Sequence, residues 1–272
     1  GYPAYRNILK ALGIIPVEIE VGADTRWALT PELLEAAHRE APLKGVLVAS
    51  PANPTGTMMT PDALKALVSA CDDMGLWFLS DEIYHGLVFN GRQETALAYS
   101  DKAIILNSFS KYYCMTGWRI GYAAGPESLI KGMRTIQSQS TSNPNSIAQA
   151  ASIAALDGPM EFLAANNEVF KARRDLVVSM LNQAPGINCH TPEGAFYVYP
   201  SVAGCIGKST PSGKVIENDE DFVSELLGAE GVAAVHGAAF GLEPHFRISY
   251  ATATELLEDA CARIQRFCAS LR

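Results

Sequence analysis

Several short motifs that identify common enzyme chemistries are absent from this 272-residue sequence. It has no G-x-G-x-x-G after an apolar strand, no H-E-x-x-H and no G-x-S-x-G, which argues against a dinucleotide fold, a zinc protease and an α/β-hydrolase. Gly207–Thr210 ends like a phosphate-binding loop, but Val202 stands where that motif requires its first glycine. We interpret this stretch as a polar surface loop.

Long apolar runs, basic clusters and paired cysteines are also missing. No apolar run reaches the roughly 18 residues that span a bilayer. The 21 basic and 29 acidic residues give a net charge of −8, which argues against a nucleic-acid partner. The six cysteines form no C-x-x-C pair or metal-finger spacing, and no glycosylation sequon occurs. We therefore expect a cytoplasmic protein without a metal, membrane or nucleic-acid partner.

The composition that remains is that of a globular chain, with 48% hydrophobic and 18% charged residues. In the first half, short apolar runs alternate with amphipathic stretches, and Thr30-Pro31 and Thr60-Pro61 have the pattern of helix starts. This alternation predicts an α/β fold with a mainly parallel sheet between layers of helices. The predicted strands are Ile14–Glu20, Gly45–Ser50, Leu76–Asp81, Ala103–Ser108 and Ile120–Ala124.

The second half has a different pattern, that of a smaller α+β domain. A long helix is predicted from about Pro159 to Leu181, and a closing helix is predicted to begin at a capping box of Thr252 and Glu255. We place the domain boundary between residues 160 and 161, giving domains 1–160 and 161–272. The predicted strands of the second domain are Ala195–Tyr199, Gly231–His236 and Phe246–Ala251.

Four segments place polar side chains directly after or within predicted strands. In an open α/β sheet, ligands bind beyond the carboxyl ends of the strands. The segments are Ser50–Gly56 (SPANPTG), Ser80–Tyr84 (SDEIY), Asn107–Tyr122 (NSFSKYYCMTGWRIGY) and Phe246–Tyr250 (FRISY).

Taken singly, these polar residues have ordinary explanations. Asn53 between prolines shapes a turn, Asp81 caps a helix, and Lys111 is a solvated lysine. The ordinary explanation of Arg119 and Arg247 is that each forms a surface ion pair, which contributes little to stability. Taken together, the residues suit pyridoxal phosphate, because its aldehyde needs an amine and its ring nitrogen a carboxylate. Its phosphate needs hydroxyls and a guanidinium, and a second guanidinium then suits a substrate carboxylate.

The four segments, in this order and spacing, resemble the signature of class I aminotransferases of the aspartate aminotransferase type. The resemblance covers almost the whole chain, and the bacterial aspartate aminotransferases are the nearest likeness. Gly194–Tyr197 and Gly237–Gly241 also resemble family segments near the substrate. The resemblance implies fold type I of the pyridoxal phosphate enzymes. It also implies a homodimer that acts on an amino acid and a 2-oxo acid.

The resemblance implies roles for the residues that face the cofactor ring. Lys111 is expected to form the Schiff base and to move the proton between the substrate carbon and the cofactor. Asp81 is expected to pair with the ring nitrogen. Tyr84 and Asn53 are expected to hold the ring oxygen.

It implies further roles in binding the two anionic groups. Ser108 and Arg119 are expected to hold the phosphate, with Ser110 as a further candidate. Arg247 is expected to clamp the α-carboxylate of the amino acid, which Asn53 also reaches. His236 stands where many relatives have proline, and we interpret it as a loop residue rather than a substrate contact.

Some family features have no counterpart in the 272 residues. Family members carry a glycine-rich helix start that binds the phosphate, an aromatic residue that stacks on the cofactor, an arm that crosses to the partner subunit and one more strand. These features precede the segment that matches Tyr2–Tyr5. We therefore expect a cofactor-binding domain without its N-terminal segment.

The sequence leaves more than one function open. The leading hypothesis is a transaminase for aspartate and glutamate, with aromatic amino acids as further substrates. A carbon–sulfur lyase or an acyltransferase shares the cofactor, but those relatives tend to carry histidine where Tyr84 stands. A ligand-sensing module of a transcription regulator lacks support, because no helix-turn-helix is present. A catalytically incomplete chain with the same fold is the remaining alternative.

Overall fold

The computed structural model describes the whole chain, from Gly1 to Arg272. The chain forms eight α-helices and seven β-strands. In chain order they are α1 (Pro3–Ala11), α2 (Pro31–Glu40), β1 (Gly45–Ala49), α3 (Pro61–Asp73), β2 (Trp77–Asp81), β3 (Ile104–Ser108), β4 (Gly121–Ala124), α4 (Glu127–Ser140), α5 (Ser146–Asp157), α6 (Glu161–Leu181), β5 (Tyr197–Val198), α7 (Asp219–Glu230), β6 (Val235–His236), β7 (Phe246–Ser249) and α8 (Thr254–Ser270). None of the helices is long and apolar enough to cross a membrane.

The first sheet has the strand order β1-β2-β3-β4. The pairs β1/β2 and β2/β3 are parallel, as the alternating pattern predicts, but β4 runs antiparallel to β3. The reason lies in the length of the connection, because only 12 residues (109–120) separate β3 from β4, whereas 22 residues (82–103) separate the parallel strands β2 and β3. A parallel neighbour needs a crossover connection, usually a helix, whereas an antiparallel strand can return directly. The sheet is therefore mainly parallel, with one antiparallel edge.

The second sheet has the order β5-β7-β6 and is antiparallel throughout. It packs with α6, α7 and α8 around a cluster of 22 buried residues that extends from Val177 to Leu271. A separate cluster of 12 buried residues, from Leu34 to Ile105, forms the core under the first sheet. The two cores lie on opposite sides of residues 160/161 in the sequence, and the exact domain boundary stays a prediction.

The two predicted helix starts with proline are confirmed. The Thr30 hydroxyl accepts a hydrogen bond from Leu33 N, and the Thr60 hydroxyl accepts one from Ala63 N. Each cap satisfies a backbone N–H that has no partner inside the helix. Helix α3 therefore starts at a fixed point, and it directs its apolar side chains into the core. These buried side chains are Leu64, Leu67, Val68 and Cys71.

Two local predictions are wrong, and a third is too long, because only Val235–His236 of the predicted strand Gly231–His236 forms a strand, and Gly231 caps the end of α7. Ile14–Glu20 forms no strand, because no other segment of the chain pairs with it, and Ile15 is 86% exposed. The capping box also fails, since α8 begins at Thr254 rather than after Thr252. The hydroxyl of Thr254 instead accepts a hydrogen bond from Arg173 Nε at 3.2 Å. The N-cap residue of α8 is Ala253, which has no side chain that can accept a capping hydrogen bond.

A small third cluster joins the two halves of the chain beside the polar strand ends. Tyr84 and Leu87 pack there against Ala195 and Tyr197. Gly56 O accepts a hydrogen bond from the backbone N of Gly194 at 2.9 Å. The SPANPTG loop of the first half is therefore held directly against the segment that leads into β5.

Replacing Gly56 by alanine is expected to destabilise this junction. Gly56 has a φ of +69°, and a Cβ there would lie 2.6 Å from the carbonyl oxygen of Tyr197. The left-handed backbone and the overpacking together should lower the free energy of unfolding by about 2–5 kcal/mol. Gly75→Ala is the matched control, because Gly75 has a φ of +67° but no atom within 4 Å. Denaturant unfolding should show that the control loses only about 1–2 kcal/mol of its free energy of unfolding. Equal losses in the two variants would contradict the packing argument.

Candidate active site

The polar strand ends of both sheets meet at one place. Asn53 follows β1, Asp81 ends β2 and Ser108 ends β3, while Arg247 lies in β7 of the second sheet. Arg247 Nη1 donates a hydrogen bond to Asn53 Oδ1 at 2.9 Å. This bond links residues that lie far apart in the sequence, and it closes the cluster across the two halves of the chain.

Asp81 is held by two donors, one of which the sequence did not suggest. Its Oδ1 accepts the backbone N–H of Ile83 at 3.0 Å, and its Oδ2 accepts the hydroxyl of Tyr5. Burial, together with the Asp81 charge, raises the pKa of Tyr5, so this phenol stays a donor at neutral pH. Tyr5 lies at the start of α1, and no local pattern relates it to β2. The bond fixes the orientation of the Asp81 carboxylate.

Tyr84 is buried next to Asp81, where it contacts another tyrosine. Its hydroxyl lies 3.0 Å from the hydroxyl of Tyr197. Burial, then Tyr197 and the Asp81 charge, raises the pKa of Tyr84 above its ordinary value. Tyr84 is therefore a neutral phenol at physiological pH, a suitable donor for a ligand oxygen.

Lys111 lies in the loop after β3, and it is half-buried. Its Nζ is 5.8 Å from the centroid of the Phe196 ring. Burial lowers the pKa of Lys111, and the positive charges of Arg119 and Arg247 lower it further. A larger fraction of the amine is therefore uncharged than in a solvated lysine, as a nucleophile or proton acceptor requires.

Ser108, Ser110 and Arg119 form the part of the site suited to an anion. Ser108 Oγ lies 2.8 Å from both Ser110 Oγ and the carbonyl oxygen of Ile120. Arg119 has a φ of +52°, and its Nη1 donates to Thr116 O at 2.9 Å. The side chain is exposed, which leaves donors of the guanidinium fork available to a phosphate.

Arg247 packs against two aromatic rings that the sequence did not place beside it. The guanidinium carbon is 4.6 Å from the centroid of Tyr197 and 5.0 Å from that of Phe240. Its Nε is buried and has no hydrogen-bond partner. Because an unpaired buried donor on a charged group costs free energy, this atom indicates an acceptor that a ligand would supply. A carboxylate has the charge and the geometry for it.

The sequence analysis interprets His236 as a loop residue rather than a substrate contact, but the structure places it in a strand. It belongs to β6, where it pairs in register with Phe246. Its backbone therefore takes part in the second sheet. No hydrogen bond or ring contact connects its side chain with the residues described above.

The residues of this cluster fit pyridoxal phosphate. The cluster contains an amine of lowered pKa, a carboxylate, a neutral phenol, an amide, two hydroxyls and two guanidinium groups. The cofactor has an aldehyde, a ring nitrogen, a phenolic oxygen and a phosphate, and each has a chemical counterpart in this set. The unpaired Arg247 Nε remains for a substrate carboxylate.

The lowered pKa of Lys111 leads to a prediction that does not depend on catalysis. Replacing Arg119 by glutamine removes a positive charge that disfavours the Lys111 cation, so the pKa of Lys111 should rise. At a fixed pH, the fraction of Lys111 that is uncharged then falls. The pH dependence of Lys111 acetylation, measured by mass spectrometry, should shift to higher pH, while that of the exposed Lys102 stays constant. An unchanged or lower midpoint for Lys111 would contradict the electrostatic argument.

Comparisons with known proteins agree with this chemistry. The profile of the family described as "Aminotransferase class I and II" matches residues 1–264. The "Aspartate/prephenate aminotransferase" of Cereibacter sphaeroides is 53% identical, over 98% of this chain and 68% of that protein. The "Aspartate aminotransferase" of Rhizobium meliloti is 44% identical, over 98% of this chain and 66% of that protein.

Solved structures show the same relationship. The crystal structure of the aspartate aminotransferase from Rhizobium meliloti matches with a TM-score of 0.95, at 44% identity, over 100% of this chain and 69% of that one. An alanine aminotransferase from Pyrococcus furiosus matches with a TM-score of 0.87, at 30% identity, over 99% of this chain and 68% of that one. The fold-type prediction is therefore confirmed.

The chain spans about two thirds of the length of these relatives, 66% and 68% for the two proteins compared by sequence. This agrees with the expectation that the 272 residues lack a segment present in family members. The match of the family profile nevertheless extends over residues 1–264. The chain therefore belongs to the class I and II aminotransferases, a family of pyridoxal phosphate-dependent transferases.

Proposed function

We propose that this chain carries the active site of a transaminase that moves an amino group between an L-amino acid and a 2-oxo acid. The observation that supports this most strongly is the placement of Lys111 within the electrostatic influence of Arg119 and Arg247. An amine of lowered pKa is thus influenced by both a candidate phosphate-binding arginine and a candidate carboxylate-binding one. That arrangement suits a reaction at the carbon next to a carboxylate.

Each residue of the cluster has a distinct task in this proposal. When bound, pyridoxal phosphate supplies an electrophilic aldehyde and a ring that withdraws electrons from the substrate carbon. Lys111 binds the aldehyde, and its amine removes and returns the proton at the α-carbon of the substrate. Asp81, oriented by Tyr5, keeps the ring nitrogen protonated. The last of these tasks needs a carboxylate held in a fixed orientation, which the two hydrogen bonds to Asp81 provide.

The remaining residues bind and orient. Tyr84 and Asn53 hold the ring oxygen, and Ser108 and Arg119 hold the phosphate, with Ser110 supporting Ser108. Arg247 binds the α-carboxylate through the fork that contains its unpaired Nε. Arg247 also donates a hydrogen bond to Asn53, which is one of the two residues proposed to hold the ring oxygen. The carboxylate site therefore lies next to the proposed position of the cofactor ring.

The proposed substrates are aspartate and glutamate with their 2-oxo acids, and aromatic substrates are the next to test. The names of the relatives support this choice. Several are called aspartate aminotransferase, and two that are each 53% identical are called aspartate/prephenate aminotransferase or probable aspartate/prephenate aminotransferase. Prephenate is therefore the oxo acid to compare with 2-oxoglutarate.

The half-reactions test the proposal directly. The protein is incubated with pyridoxal phosphate, and its visible absorption band is recorded before and after aspartate is added. We expect aspartate to bleach the band with release of oxaloacetate, and 2-oxoglutarate to restore it. A protein that shows no band contradicts the proposal, and one that shows a band without bleaching supports the catalytically incomplete alternative. No observation favours the carbon–sulfur lyase, which would release pyruvate from cysteine conjugates.

We also propose a homodimer and a cytoplasmic location. Helix α4 has no buried residue, and Ile136 on it is 71% exposed. On the adjacent α5, Ile147 and Ile153 are 68% and 62% exposed. Exposed apolar side chains of this size on two consecutive helices suit a protein interface. All six cysteines are free thiols, as is usual in a reducing compartment.

A further inference from the structure

One side chain, that of Tyr197, contacts both halves of the candidate site. Its hydroxyl lies 3.0 Å from the hydroxyl of Tyr84, and the centroid of its ring lies 4.6 Å from the guanidinium carbon of Arg247. Tyr197 is 7% exposed and Tyr84 is 4% exposed. Water therefore has little access to the bond between the two phenols.

The position of Tyr197 beside Arg247 follows from the strand register. Tyr197 in β5 pairs with Ser249 in β7, and Arg247 lies two residues before Ser249. Residues two apart on a strand point to the same face, so Tyr197 and Arg247 are diagonal neighbours on one face of the sheet. The Tyr197 ring is held in turn by Phe196, at a centroid distance of 4.8 Å, and by Tyr84, at 5.7 Å. The guanidinium thus lies on a fixed aromatic surface.

The bond between the two phenols has a consequence for proton direction. Each hydroxyl carries one proton, and only one of them occupies the contact between the oxygens. If Tyr197 donates to Tyr84, the proton of Tyr84 is free to point at a ligand oxygen. If Tyr84 donates, it has no proton left for a ligand. Burial raises the pKa of Tyr84, so the choice lies between these two neutral arrangements.

We propose that Tyr197 is a positioning residue with two separable functions. Its hydroxyl donates to Tyr84 and thereby directs the Tyr84 proton toward the ring oxygen of the cofactor, while its ring orients Arg247 for the substrate carboxylate. The inference rests on the proposed function, because it assumes that Tyr84 and Arg247 contact cofactor and substrate. Tyr197 itself touches neither in this proposal.

Two variants separate the two functions. Tyr197→Phe keeps the ring and removes the hydroxyl, so the Kd for pyridoxal phosphate should rise about fivefold, the equivalent of one hydrogen bond. The Kd of the apo-protein for succinate, an unreactive dicarboxylate measured by calorimetry, should stay within about twofold. Tyr197→Leu removes the ring as well, and its Kd for succinate should rise about fivefold or more through the lost cation–π contact. A side chain with a merely structural role would change both constants together in both variants.

Two controls make the test specific. Tyr250→Phe removes another buried phenol hydroxyl, which donates only to the carbonyl of Ala195, and both constants should remain unchanged. In a Tyr84→Phe background, Tyr197→Phe should have no further effect on cofactor affinity, because the proton that it directs is gone. Additive effects in that background overturn the proton-directing function.

The outcomes also distinguish this inference from the proposed function. A wild-type protein that binds no pyridoxal phosphate contradicts the proposed function, and succinate binding to the apo-proteins then decides the inference. Equal succinate affinity for wild type and Tyr197→Leu overturns the function assigned to the ring. If wild type binds the cofactor but Tyr197→Phe binds it equally well, the proposed function stands and the function assigned to the hydroxyl fails.

Discussion

Replacing Lys111 by alanine is expected to abolish the visible band of the protein incubated with pyridoxal phosphate and to lower the transamination rate by about 10⁴-fold or more. The proposal gives one amine two tasks, binding the cofactor's aldehyde and moving the α-proton. No other lysine lies in the cluster. The nearest in sequence, Lys102, precedes β3 at its opposite end, and its side chain is 70% exposed. Alanine therefore leaves no substitute for the lost nitrogen.

The same substitution should not unfold the protein. Burial and two neighbouring arginines disfavour the Lys111 cation, so its removal relieves electrostatic strain rather than creating it. We expect the thermal midpoint of Lys111→Ala to equal or exceed that of the wild type. Lys102→Ala is the matched control, with the band and the rate unchanged. If Lys111→Ala keeps the band and the rate, Lys111 is not the residue that binds the cofactor.

The sequence predicts the fold well where local patterns and tertiary structure agree. The strands that became β1, β2 and β3 are short apolar runs, β1 and β2 each follow a helix with a proline start, and each signal is complete within a few residues. Strand direction is different, because the antiparallel direction of β4 depends on how the 12 residues between β3 and β4 turn back toward the sheet. The extended segment Ile14–Glu20 depends on a partner strand that the chain does not supply. Neither condition is local.

The candidate site divides in the same way. Asp81, Ser108 and Lys111 are recognisable because a strand ends there in polar residues, and that signal is local. Tyr5 acts through a contact with a residue 76 positions away, and Tyr197 through one 113 positions away. An isolated tyrosine in a helix or strand is an ordinary core residue, so only the folded structure distinguishes these two.

Arg247 is the residue for which local sequence and tertiary contact are both needed. Its segment FRISY indicates a family position, but its environment consists of Asn53, Tyr197 and Phe240, and Asn53 is 194 positions away. Those contacts determine which of its donors are free. Nη1 is bound to Asn53, and the rings of Tyr197 and Phe240 pack against the guanidinium. The buried Nε lacks an acceptor, and Nη2 also makes no hydrogen bond within the chain.

Replacing Arg247 by leucine is therefore expected to raise the KM of every amino acid substrate by about 10²-fold or more. Truncating one partner of a buried, hydrogen-bonded charge pair costs about 2–5 kcal/mol, and about 1.4 kcal/mol corresponds to a tenfold change. Leucine retains apolar contact with the rings of Tyr197 and Phe240, so the second sheet should stay folded. The visible band of the cofactor should persist, because the proposed cofactor ligands remain. Steady-state kinetics with aspartate, glutamate and phenylalanine measure the effect.

The pattern across substrates decides what Arg247 binds. An α-carboxylate is common to all amino acids, so a clamp for it should affect aspartate, glutamate and phenylalanine equally. If only the dicarboxylic substrates lose affinity, Arg247 binds the side-chain carboxylate, and the proposed orientation of the substrate is reversed. Arg266→Leu is the control, since Arg266 is an exposed residue of α8 that pairs with Glu230 at 2.7 Å. Because such a surface pair contributes little, its loss should leave every KM unchanged.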